Sequence, residues 1–194
     1  SRRSTLRKKK KKDKDGNIIP DRTPKQRKNN IKFTFARYMF AFIREGFGDL
    51  PVWKIAAAQR GMTDDNLIHS TNYKYLDEKG EILDMEGFQV SLGPLALPIN
   101  LRATRNSTLV TITWDDSRDN PSAAPTDRMM VGIFYANYRD TFTLEKETGT
   151  TRRDGKCEIT LRNDDGEVCI HPFFARADNT AFSEDKAITL PDTE

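Results

Sequence analysis

The chain has 194 residues, a net charge of +3, 36% hydrophobic and 31% charged residues, and a mean hydropathy of −0.72. That length allows one or two domains with a substantial core. No run of about 18 apolar residues is present to span a membrane, and two cysteines are too few for a disulfide scaffold. No apolar signal-peptide core lies near Ser1, and a start at Ser rather than Met leaves processing or an upstream segment open.

The first element is a basic arm over residues 1–22. Residues 1–32 hold 14 of the 32 Lys and Arg but only three acids, Asp13, Asp15 and Asp21, a net charge of +11. The remaining residues net −8. Arg2, Arg3, Arg7, Lys8, Lys9, Lys10, Lys11, Lys12 and Lys14 form the arm, and Lys25, Arg27 and Lys28 extend it into the next element. A block of like charge repels itself and stays solvated. Releasing the counterions of a phosphate backbone favours binding to it. Nucleic acid or another polyanion is therefore the expected partner. Two alternatives stay open: a solubilising end, and docking on the acidic remainder of a neighbouring copy.

Within the arm, Asp13-Lys14-Asp15-Gly16-Asn17-Ile18 imitates the middle of a calcium loop. With Gly16 at loop position 6, positions 1 and 12 fall on Lys11 and Arg22, where the chemistry requires carboxylates. Asp15-Gly16 is therefore read as a turn.

Residues 23–86 read as a helical segment. Thr23-Pro24-Lys25-Gln26 carries a capping box with Pro at the first helical position. The pattern predicts a helix from about Pro24 to Glu45, ended by Gly46. It has two apolar stripes: Ile31, Phe35, Tyr38, Met39 and Phe42, and Phe33, Ala36, Phe40 and Ile43. A helix apolar on two faces is covered on both. Phe33, Phe40 and Ile43 are the expected protein interface, with a second helix or a second chain as cover. Shorter helices follow from Leu50 to Arg60 and from Thr63 to about Tyr75, the latter with Asp64 and Asp65 suited to its dipole.

Residues 87–194 read as a β-sandwich with a lead-in strand. Phe88, Val90 and Leu92 alternate first. Short β-like runs follow over 101–104, 108–115, 129–136, 141–146, 156–162, 168–176 and 187–190, separated by turn signals. About seven such strands argue for a sandwich. Its inner set is Val110, Ile112, Trp114, Val131, Ile133, Tyr135, Ile159, Leu161, Val168, Ile170 and Phe174. The expected fold class is α+β, a short N-terminal helical segment followed by an antiparallel sandwich.

The TITWDDS, MMVGIFYAN, CEITL and VCIHPFFARADNTAFSEDKAITL stretches resemble a fibronectin type III or immunoglobulin-like sandwich. Trp114 on the second strand and Tyr135 on the third fit, while Ile170 and Pro172 stand where a tyrosine corner would sit. Over most of its length the chain also resembles a Bacteroidota family of unknown function. The shared features are the helix start Arg22-Thr23-Pro24-Lys25-Gln26, the strand Thr111 to Asp115 and the strand Thr126 to Asn137. The family's glycine-rich N-terminal segment is absent here, and the lysine run is an extension. The resemblance implies this architecture and a bacterial or phage source; it implies no activity.

Chemistry-bearing motifs are sparse. No P-loop, GxGxxG or GxSxG occurs. His69 and His171 read as structural. Cys157 points into the sandwich and Cys169 away from it, which opposes a disulfide. Asp115, Asp116, Asp119 and Asp127 read as a solvated loop. No catalytic, cofactor-binding or metal-ligating residue is assigned, and the chain is read as a non-enzyme. The expected function is a structural assembly module: the arm on a polyanion, the sandwich and helix on other proteins, in a larger assembly such as a virion. The expected location is the bacterial cytoplasm or a phage particle, with the cell surface as the alternative. A surface-exposed carbohydrate- or ligand-binding sandwich is the second reading.

Overall fold

The structure is a computed structural model that describes residues 11–18, 21–115, 121–163 and 166–192, without the side chains of 139–141. Among the described residues three α-helices come first: α1 (Pro24–Phe47), α2 (Val52–Ala58) and α3 (Asp64–Asn72). Seven strands follow among the described residues: β1 (Ile99–Asn106), β2 (Leu109–Asp115), β3 (Arg128–Tyr135), β4 (Tyr138–Glu145), β5 (Lys156–Thr160), β6 (Val168–Ala175) and β7 (Ile188–Leu190). The fold is α+β.

The arm's described part is the expected turn. The carboxylate of Asp13 accepts from the backbone N–H of Asp15 (2.9 Å) and of Asn17 (2.8 Å), and Gly16 takes φ +84°. These bonds, that of Asn17 foremost, hold the Asp13 carboxyl below the usual carboxylate range. α1 begins as its sequence predicts. The Gln26 N–H donates to Thr23 Oγ1 (3.2 Å) and the Thr23 N–H to Gln26 Oε1 (2.9 Å).

Its end differs from the expectation. α1 runs through Gly46 to Phe47. Gly46 is not a stop but a contact: a Cβ there would lie 2.8 Å from the Phe142 ring of β4. Only glycine lets the helix come so close to the sheet.

The strands form two antiparallel sheets, β1-β2-β5 and β4-β3-β6-β7, packed as a sandwich in the fibronectin/immunoglobulin manner. Every residue of the expected inner set is buried between them, with Leu101, Met129, Cys157 and Leu190. Trp114 stands edge-on to Phe174 at 5.6 Å, and its indole N–H donates to the Arg152 carbonyl at 2.8 Å. The Tyr135 hydroxyl accepts from the Arg162 N–H at 3.1 Å. A tyrosine on β3 thus ties down the chain after β5.

The helices do not sit beside this sandwich. They form a third layer on the outer face of β4-β3-β6-β7. Ala36, Phe40, Ile43 and Phe47 of α1 share one core with Val52, Trp53, Ile68, Met130, Phe134, Phe142 and Phe173. The boundary near residue 86 marks a change of structure, not a change of core. β3 and β6 are consequently buried on both faces. Gly132 faces His171 across the sheet and leaves room for Phe142 and Val90; a Cβ there would meet them at 3.1 and 3.3 Å.

Residues 88–92 form no strand, contrary to the alternation of Phe88, Val90 and Leu92. Those side chains are buried, but side chains rather than a ladder satisfy the backbone. The Gln89 N–H donates to Asn72 Oδ1, and the Val90 and Ser91 N–H groups to Asp185 Oδ1.

Asp127 also departs from its expected solvated loop. It is fully buried, 3.3 Å from Arg152 Nε and 3.1 Å from Arg176 Nη1. Arg152 is itself buried, its guanidinium 4.2 Å from the centre of the Phe174 ring. Burial of a carboxylate is tolerated because two guanidiniums meet it there. Asp115 is exposed and accepts from Asn100 at 2.8 Å. Asp116 and Asp119 lie outside the described residues.

Candidate interaction surface and a buried Cys-His-Asp array

Lys11, Lys12, Lys14, Lys25, Arg27 and Lys28 are all exposed. The other expected arm residues, Arg2, Arg3, Arg7, Lys8, Lys9 and Lys10, lie outside the described residues. The capping box starts α1 at Pro24 and so presents Lys25, Arg27 and Lys28 on its first turn. Arg27 Nε donates to the Arg22 carbonyl at 3.0 Å, and Lys28 pairs with Glu78 at the surface. Lys32 follows, 4.5 Å above the Tyr73 ring.

The apolar part of α1 divides differently from the expectation. Phe40 and Ile43 are 3% and 0% exposed, covered by α3 and the sheet of their own chain. They are core, not interface. Phe33 is 44% exposed, with its ring 4.9 Å from His69. The face left open is the other stripe: Ile31 at 53%, Phe35 at 46%, Tyr38 at 69% and Phe42 at 41% exposure. Both stripes have helical spacing, so periodicity alone could not choose between them. Gly46 and Phe47, which touch the sheet, fix the rotation of the helix.

A cleft of about 660 Å³ runs between α1 and α3, lined among others by Phe33, Arg37, Tyr38, Arg44, Asn66 and His69. His69 stacks on Tyr73 at 4.6 Å. Burial, with Arg37 nearby, pushes its pKa down, so the ring is neutral at pH 7. Arg44 pairs with Asp65 across the cleft's end. Among the described residues no group of three His, Cys, Asp or Glu is arranged for a metal, and no helix is long and apolar enough to cross a membrane.

Sequence reasoning did not find one arrangement. Cys169 Sγ lies 3.4 Å from His171 Nε2, and His171 Nδ1 lies 2.7 Å from Asp185 Oδ2. Residues 169 and 171 share a face because β6 alternates; Asp185 arrives from the chain leading to β7. The order is that of a thiol nucleophile, a base and an orienting acid. Its setting differs. Cys169 and His171 are 0% exposed, and Asp185 Oδ1 is occupied by the Val90 and Ser91 N–H groups. Burial opposes charge on His171, but its bonds to Asp185 and Cys169 and the Asp185 charge outweigh it and raise its pKa to about 9. At neutral pH the array is a buried imidazolium–carboxylate pair. It fastens residues 90–91, and the helical layer they lead from, to β6. Cys169 does point away from the sandwich, as expected, but the third layer covers it. The apolar residues at nearly every position of β3 and β6 were the available signal, since strands buried on both faces lose alternation.

No family model matches the chain, and no curated protein matches it. Among solved structures, one described as "Myokine structure" is similar over 52% of this chain and 99% of its own, at 16% identity and a TM-score of 0.37. A likeness of that size carries no argument about function.

Proposed function

We propose that this chain is a non-enzymatic assembly module, with a cationic arm that engages a polyanion, nucleic acid foremost, and a helix-covered sandwich that makes protein contacts. The observation that carries this reading is the surface of α1. Cations are exposed on its first turns, and large apolar side chains are exposed along its middle. The first suits a phosphate backbone, and the second is uncommon on a surface that meets only water. A virion or another large bacterial assembly uses both. The alternative, a carbohydrate- or ligand-binding sandwich, needs an exposed aromatic platform. Trp53 and Trp114 are each 3% exposed, and the exposed aromatics Phe33, Phe35, Tyr38 and Phe42 lie on α1 rather than on the sandwich loops, which favours the assembly reading.

Deleting residues 1–22 tests the polyanion half. The truncated chain should keep its circular dichroism spectrum, since all the described residues in that stretch are exposed. Its salt-sensitive retention on heparin should disappear. Equal retention of the full and truncated chains overturns this half.

A further inference from the structure

The open face of α1 has a regular spacing. Lys28, Ile31, Phe35, Tyr38, Phe42 and Glu45 follow one another at steps of three and four residues. That is the a/d seam of a coiled coil, with a cation at one end, an anion at the other and apolar residues between. Lys28 and Glu45 are both exposed, as is the apolar run between them. The seam lies on the side of α1 away from Ala36, Phe40 and Phe47; its own chain meets it along one edge, where the turn at Gly80 rests on the base of Phe35 and the Phe35 ring stays 46% exposed.

We propose that α1 pairs with α1 of a second copy, antiparallel, with Ile31 against Phe42 and Phe35 against Tyr38. This deepens the assembly half of the proposed function and rests on it. The charges choose the partner and the direction. In this register the same alignment that closes the apolar layers sets Lys28 opposite Glu45 of the second copy, twice over by symmetry. The interface is self-complementary, as a two-fold contact must be. A parallel pair would instead oppose Lys28 to Lys28 and Glu45 to Glu45, which costs free energy.

The arms agree with the same direction. α1 has 24 residues, so the two arms leave opposite ends of the pair, roughly 36 Å apart at 1.5 Å per residue. That is several times the Debye length of about 8 Å at physiological salt. Each cationic start then lies beside the other copy's Glu45 and Asp49. Lys28 has an own-chain partner in Glu78, but their side chains are 60% and 62% exposed, so that pair is solvent-screened and exchanges readily. Thr34 and Ala41, small and exposed beside the seam, let the helices approach.

The test is the mass of the nuclease-treated full chain by sedimentation at about 0.15 M salt, across a concentration series. The mass should rise from 22.2 kDa toward twice that value. Tyr38→Glu alters the most exposed of the four apolar seam residues, so it should fold with an unchanged circular dichroism spectrum and keep the single-chain mass. Glu45→Lys alone should weaken pairing roughly tenfold by creating like-charge contacts, and adding Lys28→Glu should restore it. A single-chain mass for the unmodified protein at every concentration overturns the proposal. So does pairing that survives Tyr38→Glu, or a double charge swap that restores nothing. Heparin retention separates the outcomes. An unpaired chain that heparin still holds refutes the pairing alone, and a paired chain that heparin does not hold refutes the polyanion reading alone.

Discussion

Asp185→Asn breaks a buried ion pair between β6 and the chain leading to β7, beside residues 90–91. The asparagine keeps an oxygen for the Val90 and Ser91 N–H groups, which donate to Asp185 Oδ1 at 2.9 Å each. It removes the acceptor that lies 2.7 Å from His171 Nδ1. The size of the effect follows from the imidazole. Its folded pKa is about 9, against 6.5 for the free group. A group whose pKa rises on folding binds its proton more tightly in the native state. It therefore stabilises fully below about pH 6.5, and that contribution is lost as pH climbs through about 9. The difference corresponds to roughly 3 kcal/mol, in the range for breaking a buried ion pair. For a chain of this size it lowers Tm by about 6–12 °C. Urea unfolding followed by tryptophan fluorescence is the assay, because Trp53 lies in the outer core and Trp114 in the inner one. The variant should be less stable than the parent near pH 6.5 and converge with it above pH 9. A stability gap that stays constant from pH 6 to pH 10 refutes the assignment of a charged His171.

Three further outcomes follow from the packing. Trp114→Ala should cost roughly 3–5 kcal/mol, as for other buried aromatics; an unchanged melting temperature would place Trp114 at the surface. Phe40→Glu should leave the chain unfolded or unexpressed, because Phe40 packs against its own chain; a folded variant of lower mass would restore it to an interface. Asp127→Ala should cost about 3–5 kcal/mol by removing the buried carboxylate that meets the Arg152 and Arg176 guanidiniums. Chemical denaturation that shows no loss would mean that the sandwich end opens to water.

The sandwich was legible because its inner residues alternate: Val110, Ile112 and Trp114 on β2, Val131, Ile133 and Tyr135 on β3. The start of α1 was legible because Thr23, Pro24 and Gln26 form a local capping signal that needs no tertiary contact. The third layer was not legible in the same way. Met130, Phe134 and Phe173 face outward from the sandwich, and their burial depends on a helix from elsewhere in the chain. The choice between the two stripes of α1 depends on Gly46 meeting Phe142, a long-range contact that periodicity does not encode. Asp127 looked solvated because the stretch 115–125 before it is rich in Asp, Ser and Pro; the cations that bury it, Arg152 and Arg176, lie far along the chain. The Cys169–His171 pair is visible in the i, i+2 spacing of a strand, while Asp185 becomes a partner only once residues 183–186 fold back against β6 and residues 90–91.

The salt dependence of binding to a labelled DNA duplex tests the central claim most directly. Fluorescence anisotropy titrations of the full chain at 50 and 200 mM salt give the slope of log K against log salt, which is about −0.9 for each phosphate neutralised. With 14 basic residues in positions 1–32, the account predicts binding at low salt and a loss of roughly a thousandfold or more at high salt, as expected for about six or more phosphate contacts. Absence of binding at 50 mM salt, or an affinity that does not change between the two, contradicts a polyanion-binding arm.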